Sequence, residues 1–347
     1  MKKFDLLLLA TLLATLLGCK LEISVPENGT VTTASGAYSC GARETCVIEV
    51  ADTSFDQTFI ARPARGYTFS RWLKRPNGSC GDQNKPCRLD TTAFGDDEEL
   101  LAILESDSTY YLEPVFVKQQ EYDFESGTLD LACSGNCPTI SDKYARSGEY
   151  SMEAYLNRLT SPTAFRTEAV IPGQAKTMEW ETDYWIGFSI YLPSGWEVPQ
   201  LDEGQWEILM QIHSASSGNG GPPLRIETRS GNWQVMSRAV AGPYKVWTLN
   251  SVFEDVGRWT DWVIHIRPSQ STNGILQIWK DGAYVGGRNG PNTYAGDEEG
   301  PYLKLGIYSG PRERDCCKDD RIEKWVYYDS LRIASGPDAV YADVAPR

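Results

Sequence analysis

Histidine is almost missing from this chain: His213 and His265 are the only two in 347 residues. Ligand sets that need several imidazoles cannot be built, and imidazole acid–base chemistry falls to one of two side chains. Basic residues are in deficit as well, 33 Lys and Arg against 47 Asp and Glu, for a net charge of −14. That balance argues against a nucleic-acid partner, but leaves room for an anionic sugar held in a locally basic cleft. Beyond the first twenty residues there is no apolar run of membrane-spanning length. No convincing long amphipathic helix is present either, which removes the helical fold classes.

The amino terminus reads as an export signal. Lys2 and Lys3 precede an apolar run from Leu6 to Leu17 that is too short to span a bilayer stably, so residues 1–18 are set aside from the fold. The ending Leu16-Leu17-Gly18-Cys19 resembles a bacterial lipobox, which implies cleavage before Cys19 and lipidation of its sulfur. The chain would then be a lipoprotein of the outer membrane or cell surface, held by lipid rather than by a helix. Eight further cysteines, Cys40, Cys46, Cys80, Cys87, Cys133, Cys137, Cys316 and Cys317, are an even number in an exported chain and read as disulfides. The preferred pairs are Cys40 with Cys46, Cys80 with Cys87 and Cys133 with Cys137. Cys316 and Cys317 either bridge each other or cross-pair with Cys133 and Cys137.

Two domains are expected. Residues 19–118 carry short alternating runs divided by Asn28-Gly29 and Asn77-Gly78, the pattern of a small disulfide-bonded β domain. The run Asp96-Asp97-Glu98-Glu99 reads as a solvated loop and Gln119-Gln120 as the linker. The Gly66-Tyr67-Thr68-Phe69-Ser70-Arg71-Trp72 segment resembles internalin-type B repeats, β-grasp-like modules, which implies a spacer or adhesion role. Residues 119–347 are patterned as strands: 186–192, 206–213, 224–228, 233–238, 262–267, 275–279, 302–308 and 325–333. That many short strands with Gly, Pro and Asn turns predict an all-β two-sheet sandwich, most simply a jelly roll.

Four strands set their polar residues at alternate positions. In the run from Trp206 to His213, period two sets Trp206, Ile208, Met210 and Ile212 on one face, with Glu207, Leu209, Gln211 and His213 on the other. Gln211 and His213 then stand roughly 7 Å apart, the scale of one sugar ring. In 302–308, Leu303, Leu305 and Ile307 face the core, while Tyr302, Lys304, Gly306 and Tyr308 face away, Gly306 giving a ligand room near the backbone. Arg166 and Glu168 share a face and can brace one another, as can Arg225, Glu227 and Arg229.

These segments carry a resemblance. Arg166-Thr167-Glu168, Gln211-Ile212-His213 and Tyr302-x-Lys304-x-Gly306-x-Tyr308 stand in the order of the signature strands of jelly-roll alginate lyases. The runs 184–193 and 326–333 look more like heparin lyase I and glucuronan lyase. Ala169-Val170 and Ser309-Gly310 depart from the alginate pattern and weaken that substrate. The resemblance implies a concanavalin-like jelly roll that cleaves a uronate-containing polysaccharide by β-elimination, leaving unsaturated ends.

The residues permit that chemistry. Removing the C5 proton of a uronate requires neutralising the adjacent carboxylate, for which Arg166 and Gln211 are the candidates. His213 is the candidate base and Tyr308 the candidate acid, or Tyr308 serves both steps where the two groups leave from one side of the ring. Lys304, Tyr302, Glu168, Arg225 and Arg229 are candidate substrate contacts, and Trp185, Trp206 and Trp233 candidate stacking platforms. His265 reads as structural. No cofactor is required; a structural calcium held by loop carbonyls and carboxylates would fall, for example, near Asp297, Glu298 and Glu299, although consecutive acids are usually just solvated. The chain is expected to act as a monomer on an anionic polysaccharide. The alternatives are a non-catalytic lectin-like module and a glycoside hydrolase. The latter lacks its Glu-x-Asp-x-x-Glu strand, since Ile186 stands where the last Glu would follow Glu181 and Asp183.

Overall fold

The computed structural model describes residues 18–157, 160–161, 165–170, 177–196, 206–215, 221–239, 244–309 and 323–347. It forms two compact units, Met1–Phe116 and Val117–Arg347. Residues 1–17 of the expected export signal, and Cys316 and Cys317, lie outside the described residues.

In the first unit, Cys19–Ser24 pairs antiparallel with Thr45–Val50 and parallel with Thr109–Leu112. A second sheet orders Ser39–Cys40, Gly29–Thr33, Asp56–Pro63 and Cys87–Asp90. Phe59, Trp72 and Leu112 are fully buried in the core of this unit. Cys40–Cys46 and Cys80–Cys87 are bonded as expected, offsetting the small core. Cys19 opens the first strand, with its thiol inside the unit donating to the Val50 carbonyl at 3.2 Å. The acidic run is not a loop. Asp97 caps the helix Glu98–Leu104, accepting from the amides of Glu99 and Leu100, and Glu98 and Glu99 fill its first turn. An Asp cap, an acidic first turn and the following Leu100-Leu101-Ala102-Ile103-Leu104 are a helix-start signal, hidden by reading the charges alone.

The second unit is a sandwich. One sheet orders Ala132–Gly135, Arg166–Val170, Tyr302–Ser309, Trp206–His213, Leu224–Arg229, Asn232–Ser237 and Lys245–Ser251. The other orders Thr139–Ser141, Ser151–Asn157, Glu323–Ser335, Tyr184–Tyr191, Trp259–Arg267, Ile275–Lys280 and Ala283–Asn289. Leu209, Ile212, Ile226, Val235, Leu303 and Leu305 from the first meet Ile186, Phe188, Trp262, Ile264, Val326 and Leu331 from the second in one core. All eight strands read from the pattern are present. Gln119 and Gln120 are not an unpaired linker: they lie in the strand Pro114–Tyr122 and pair with Ala334 and Ile333, because strand pairing draws on backbone groups whatever the side chain.

Candidate active site

The outer face of the first sheet gathers the polar residues of Arg166–Val170, Tyr302–Ser309 and Trp206–His213, and the register fixes who faces whom. Arg166 lies opposite Tyr308 and Glu168 opposite Gly306. On the other side Gln211 lies opposite Lys304 and His213 opposite Tyr302.

The alternation expected for 206–213 does not hold along the whole strand. A bulge falls between Ile208 and Met210, where Leu209 alone faces Gly306 and Ile307. Consecutive residues Leu209 and Met210 therefore both enter the core. Before the bulge the faces are exchanged. Trp206 is on the outer side, its ring 5.5 Å from that of Tyr308, and Glu207 is inside, bonded to Thr228 and ion-paired with Lys324 of the opposite sheet. Tyr328, also from the opposite sheet, brings its hydroxyl to 2.7 Å from the Leu209 carbonyl and 2.8 Å from that of Gly306. It thus donates to the carbonyls at the bulge. Gly306 has φ 147°, and a Cβ there would stand 2.1 Å from the Thr167 carbonyl oxygen. Its glycine serves this strand contact, not the approach of a ligand.

Glu168 is the hub. It is 1% exposed, its Oε1 accepts from the Gln211 amide through a short hydrogen bond, and its Oε2 is ion-paired with Arg166 Nε at 3.1 Å and Lys304 Nζ at 3.8 Å. Burial pushes its carboxyl above the ordinary range, against the pull of Lys304, Arg166 and Gln211. Burial likewise pushes the Lys304 ammonium down, against the pull of Glu168. With Oε1 bonded to Gln211 and Oε2 set against both cations, Glu168 is placed to orient Arg166 and Lys304. Ser134, on the edge strand, accepts from Lys304 at 3.2 Å and from Arg166 at 3.4 Å.

His213 is half-buried. Its Nδ1 lies 2.7 Å from the Ser214 carbonyl, which can only accept, so Nδ1 carries the hydrogen and Nε2 presents a lone pair. Burial lowers its pKa, the Ser214 bond opposes this, and the charges of Lys304 and Arg166 lower it further. The neutral imidazole is the form a base requires. The tyrosine beside it is Tyr302, with ring centroids 5.5 Å apart. Tyr308 stands six residues along, roughly 20 Å on an extended strand. It forms a second centre with Arg166, whose guanidinium lies 4.4 Å from its ring centroid. The structure thus brings together Arg166, Glu168, Gln211, Lys304, His213 and Tyr302, and joins Tyr308 to them through Arg166.

Arg225 and Arg229 flank a second buried carboxylate, Glu227, at 2.8 and 2.9 Å. Arg225 also lies under the Trp206 ring at 5.4 Å, and burial lowers its pKa. Of the proposed platforms, Trp206 shares the outer face. Trp233 is fully buried and donates to Asp255, so it is core. Trp185 belongs to the other sheet, stacked at 4.2 Å on His265, which is itself held between Asp183 and Gln277. Among the described residues, Asp297, Glu298 and Glu299 do not converge as a metal-holding cluster. Ser134, Tyr328 and the inward Glu207 escape sequence reading. Ser134 has no pattern of its own, and the other two depend on a bulge that shows only in the pairing.

Three solved structures give the scale of the likeness. An endo-β-1,4-glucuronan lyase from the fungus Trichoderma reesei is 17% identical over 66% of this chain and 97% of its own, with a TM-score of 0.49. An alginate lyase from Pseudomonas aeruginosa is 17% identical over 56% and 86%, at 0.38. A cellulose-induced protein is 16% identical over 62% and 96%, at 0.41. No curated protein matches the chain. The profile of one family, polysaccharide lyase, matches residues 119–332, which span the sandwich and every residue of the site. The chain belongs to the polysaccharide lyase family.

Proposed function

We propose that this lyase cleaves a uronate-containing polysaccharide by β-elimination at the outer face of the seven-stranded sheet. The observation that carries the reading is His213, its Nδ1 held on the Ser214 carbonyl and its pKa lowered by burial, beside two cations, Arg166 and Lys304, anchored on a buried carboxylate. Cations set next to a base are what abstraction of a proton α to a carboxylate needs, because they offset the charge that builds on that carboxylate. In this reading His213 Nε2 takes the C5 proton, Arg166 binds the carboxylate, and Tyr302, the neighbouring hydroxyl, protonates the departing O4. A second reading gives both steps to Tyr308 and is favoured by the 4.4 Å approach of Arg166 to its ring.

Absorbance near 235 nm, followed with glucuronan, alginate and heparin, tests both. A rise on one polymer is expected, and His213→Ala should lower kcat by about two to four orders of magnitude, the usual contribution of a positioned acid or base. Tyr302→Phe should then cost more than Tyr308→Phe; the reverse order selects the second reading. No rise on any polyuronate, with binding retained, would leave a lectin-like module.

The pH profile follows from the burial of His213. Its pKa lies below the ordinary 6.5, so the neutral base persists as pH falls through 6.5 and is lost only lower. The acid limb of kcat/KM should therefore lie below pH 6.5. A limb above that value would show that His213 is not the titrating base.

A further inference from the structure

The strand Ala132–Gly135 lies at the edge of the site sheet, and no sequence pattern marks it as functional. Its register sets Ser134 opposite Glu168, on the same face as the site. Two features hold it there. Cys133 is bonded to Cys137, closing the turn that follows, and Asn136 donates through its side chain to Thr167 on the neighbouring strand. Gly135, at φ 81°, is pressed so close that a Cβ would stand 2.9 Å from the Arg166 carbonyl oxygen and from its Cγ. The turn is thus fitted against the stem of Arg166.

The consequence lies at the Ser134 hydroxyl. Its oxygen accepts from Lys304 Nζ at 3.2 Å and from Arg166 Nη1 at 3.4 Å, which uses both lone pairs and leaves its own hydrogen as a donor. A hydroxyl donor between an ammonium and a guanidinium favours an anionic oxygen over a neutral sugar hydroxyl, which can accept but brings no charge to set against the two cations. Glu168, the nearby carboxylate, already receives Gln211, Arg166 and Lys304.

We propose that Ser134, presented by the Cys133–Cys137 turn, is a third donor to the substrate carboxylate beside Arg166 and Lys304. This rests on the polyuronate reading above. The turn then belongs to the recognition site: it sets the distance between the hydroxyl and the two cations, and it favours polymers carrying a carboxylate over neutral ones.

The test uses the full chain carrying Ser134→Ala, Ser134→Thr, or the double substitution Cys133→Ser with Cys137→Ser. Kinetics at 235 nm are paired with affinity for glucuronan, alginate and a neutral β-glucan, measured in a His213→Ala background. Loss of a hydrogen bond to a charged group predicts about a tenfold or greater fall in affinity for the polyuronate. In turnover this should show mainly as a raised KM, while affinity for the neutral polymer and the thermal midpoint stay unchanged. Ser134→Thr should restore binding, and the double cysteine variant should share the loss. Polyuronate affinity equal to the parent's in Ser134→Ala, or an equal loss on the neutral polymer, overturns the inference while leaving the lyase reading intact. If no polyuronate is cleaved, the lyase reading fails by itself, and the binding measurements still decide the role of Ser134. A parent chain that binds no polyuronate overturns both.

Discussion

Exchanging Glu168 for alanine is expected to dismantle the site and destabilise the second unit together. The carboxylate is 1% exposed and Lys304 4%, so removing the first leaves a buried ammonium without its anion and brings Lys304 and Arg166 into repulsion. Breaking a buried pair from one side costs about 3–5 kcal/mol, more than the pair contributes net, because the survivor is left desolvated. Gln211 loses its acceptor in the same step. Activity should fall at least a hundredfold, and the urea midpoint should drop with it. Glu168→Gln separates the effects: its amide keeps the shape and an acceptor for Gln211 but not the charge, so only the part of the loss owed to volume and that hydrogen bond should be recovered, while kcat/KM remains low. Near-parental kcat/KM in Glu168→Gln would mean that the cations need no anionic partner to hold their positions.

The second large effect is expected far from the sugar, at Lys324. Its ammonium pairs with Glu207 between the two sheets, both side chains at most 3% exposed, and Glu207 also accepts from Thr228 at 2.8 Å. Lys324→Ala should destabilise the sandwich by about 3–5 kcal/mol, since the Glu207 charge remains inside a low-dielectric core. Lys324→Met combined with Glu207→Gln should recover most of that loss, because the double change removes both charges while keeping volume. Chemical unfolding of the single and double variants measures this. A Lys324→Ala variant as stable as the parent would show that the Glu207 carboxylate does not depend on Lys324 to offset its charge. Trp206 shares the strand, so the single variant should also lower activity if the bulge loosens.

Much of the second unit was legible in the sequence. Strands 224–228, 275–279 and 302–308 stand within a residue or two of their expected ends, because local period two and Gly, Pro and Asn punctuation are written in consecutive residues. The braces Arg166–Glu168 and Arg225–Glu227–Arg229 were legible for the same reason: residues two apart on a strand share a face whatever the sheet does. So were the three short disulfides, where loop length leaves few partners. The helix at Glu98–Leu104 was also written in its residues, in an Asp cap that composition alone disguises.

What the sequence by itself determined, then, is the class of fold, the family strands and the identity of the polar residues on them. The tertiary structure alone decided which of those residues meet. Register set His213 beside Tyr302 and sent Tyr308 to Arg166; pairing with a distant edge strand brought Ser134 to Lys304; and one unpaired residue at Leu209 turned Glu207 inward and Trp206 outward. Each is a relation between segments far apart in the chain. Strand pairing fixes such relations through backbone hydrogen bonds, which are nearly blind to side-chain identity, so a sequence read one strand at a time does not contain them.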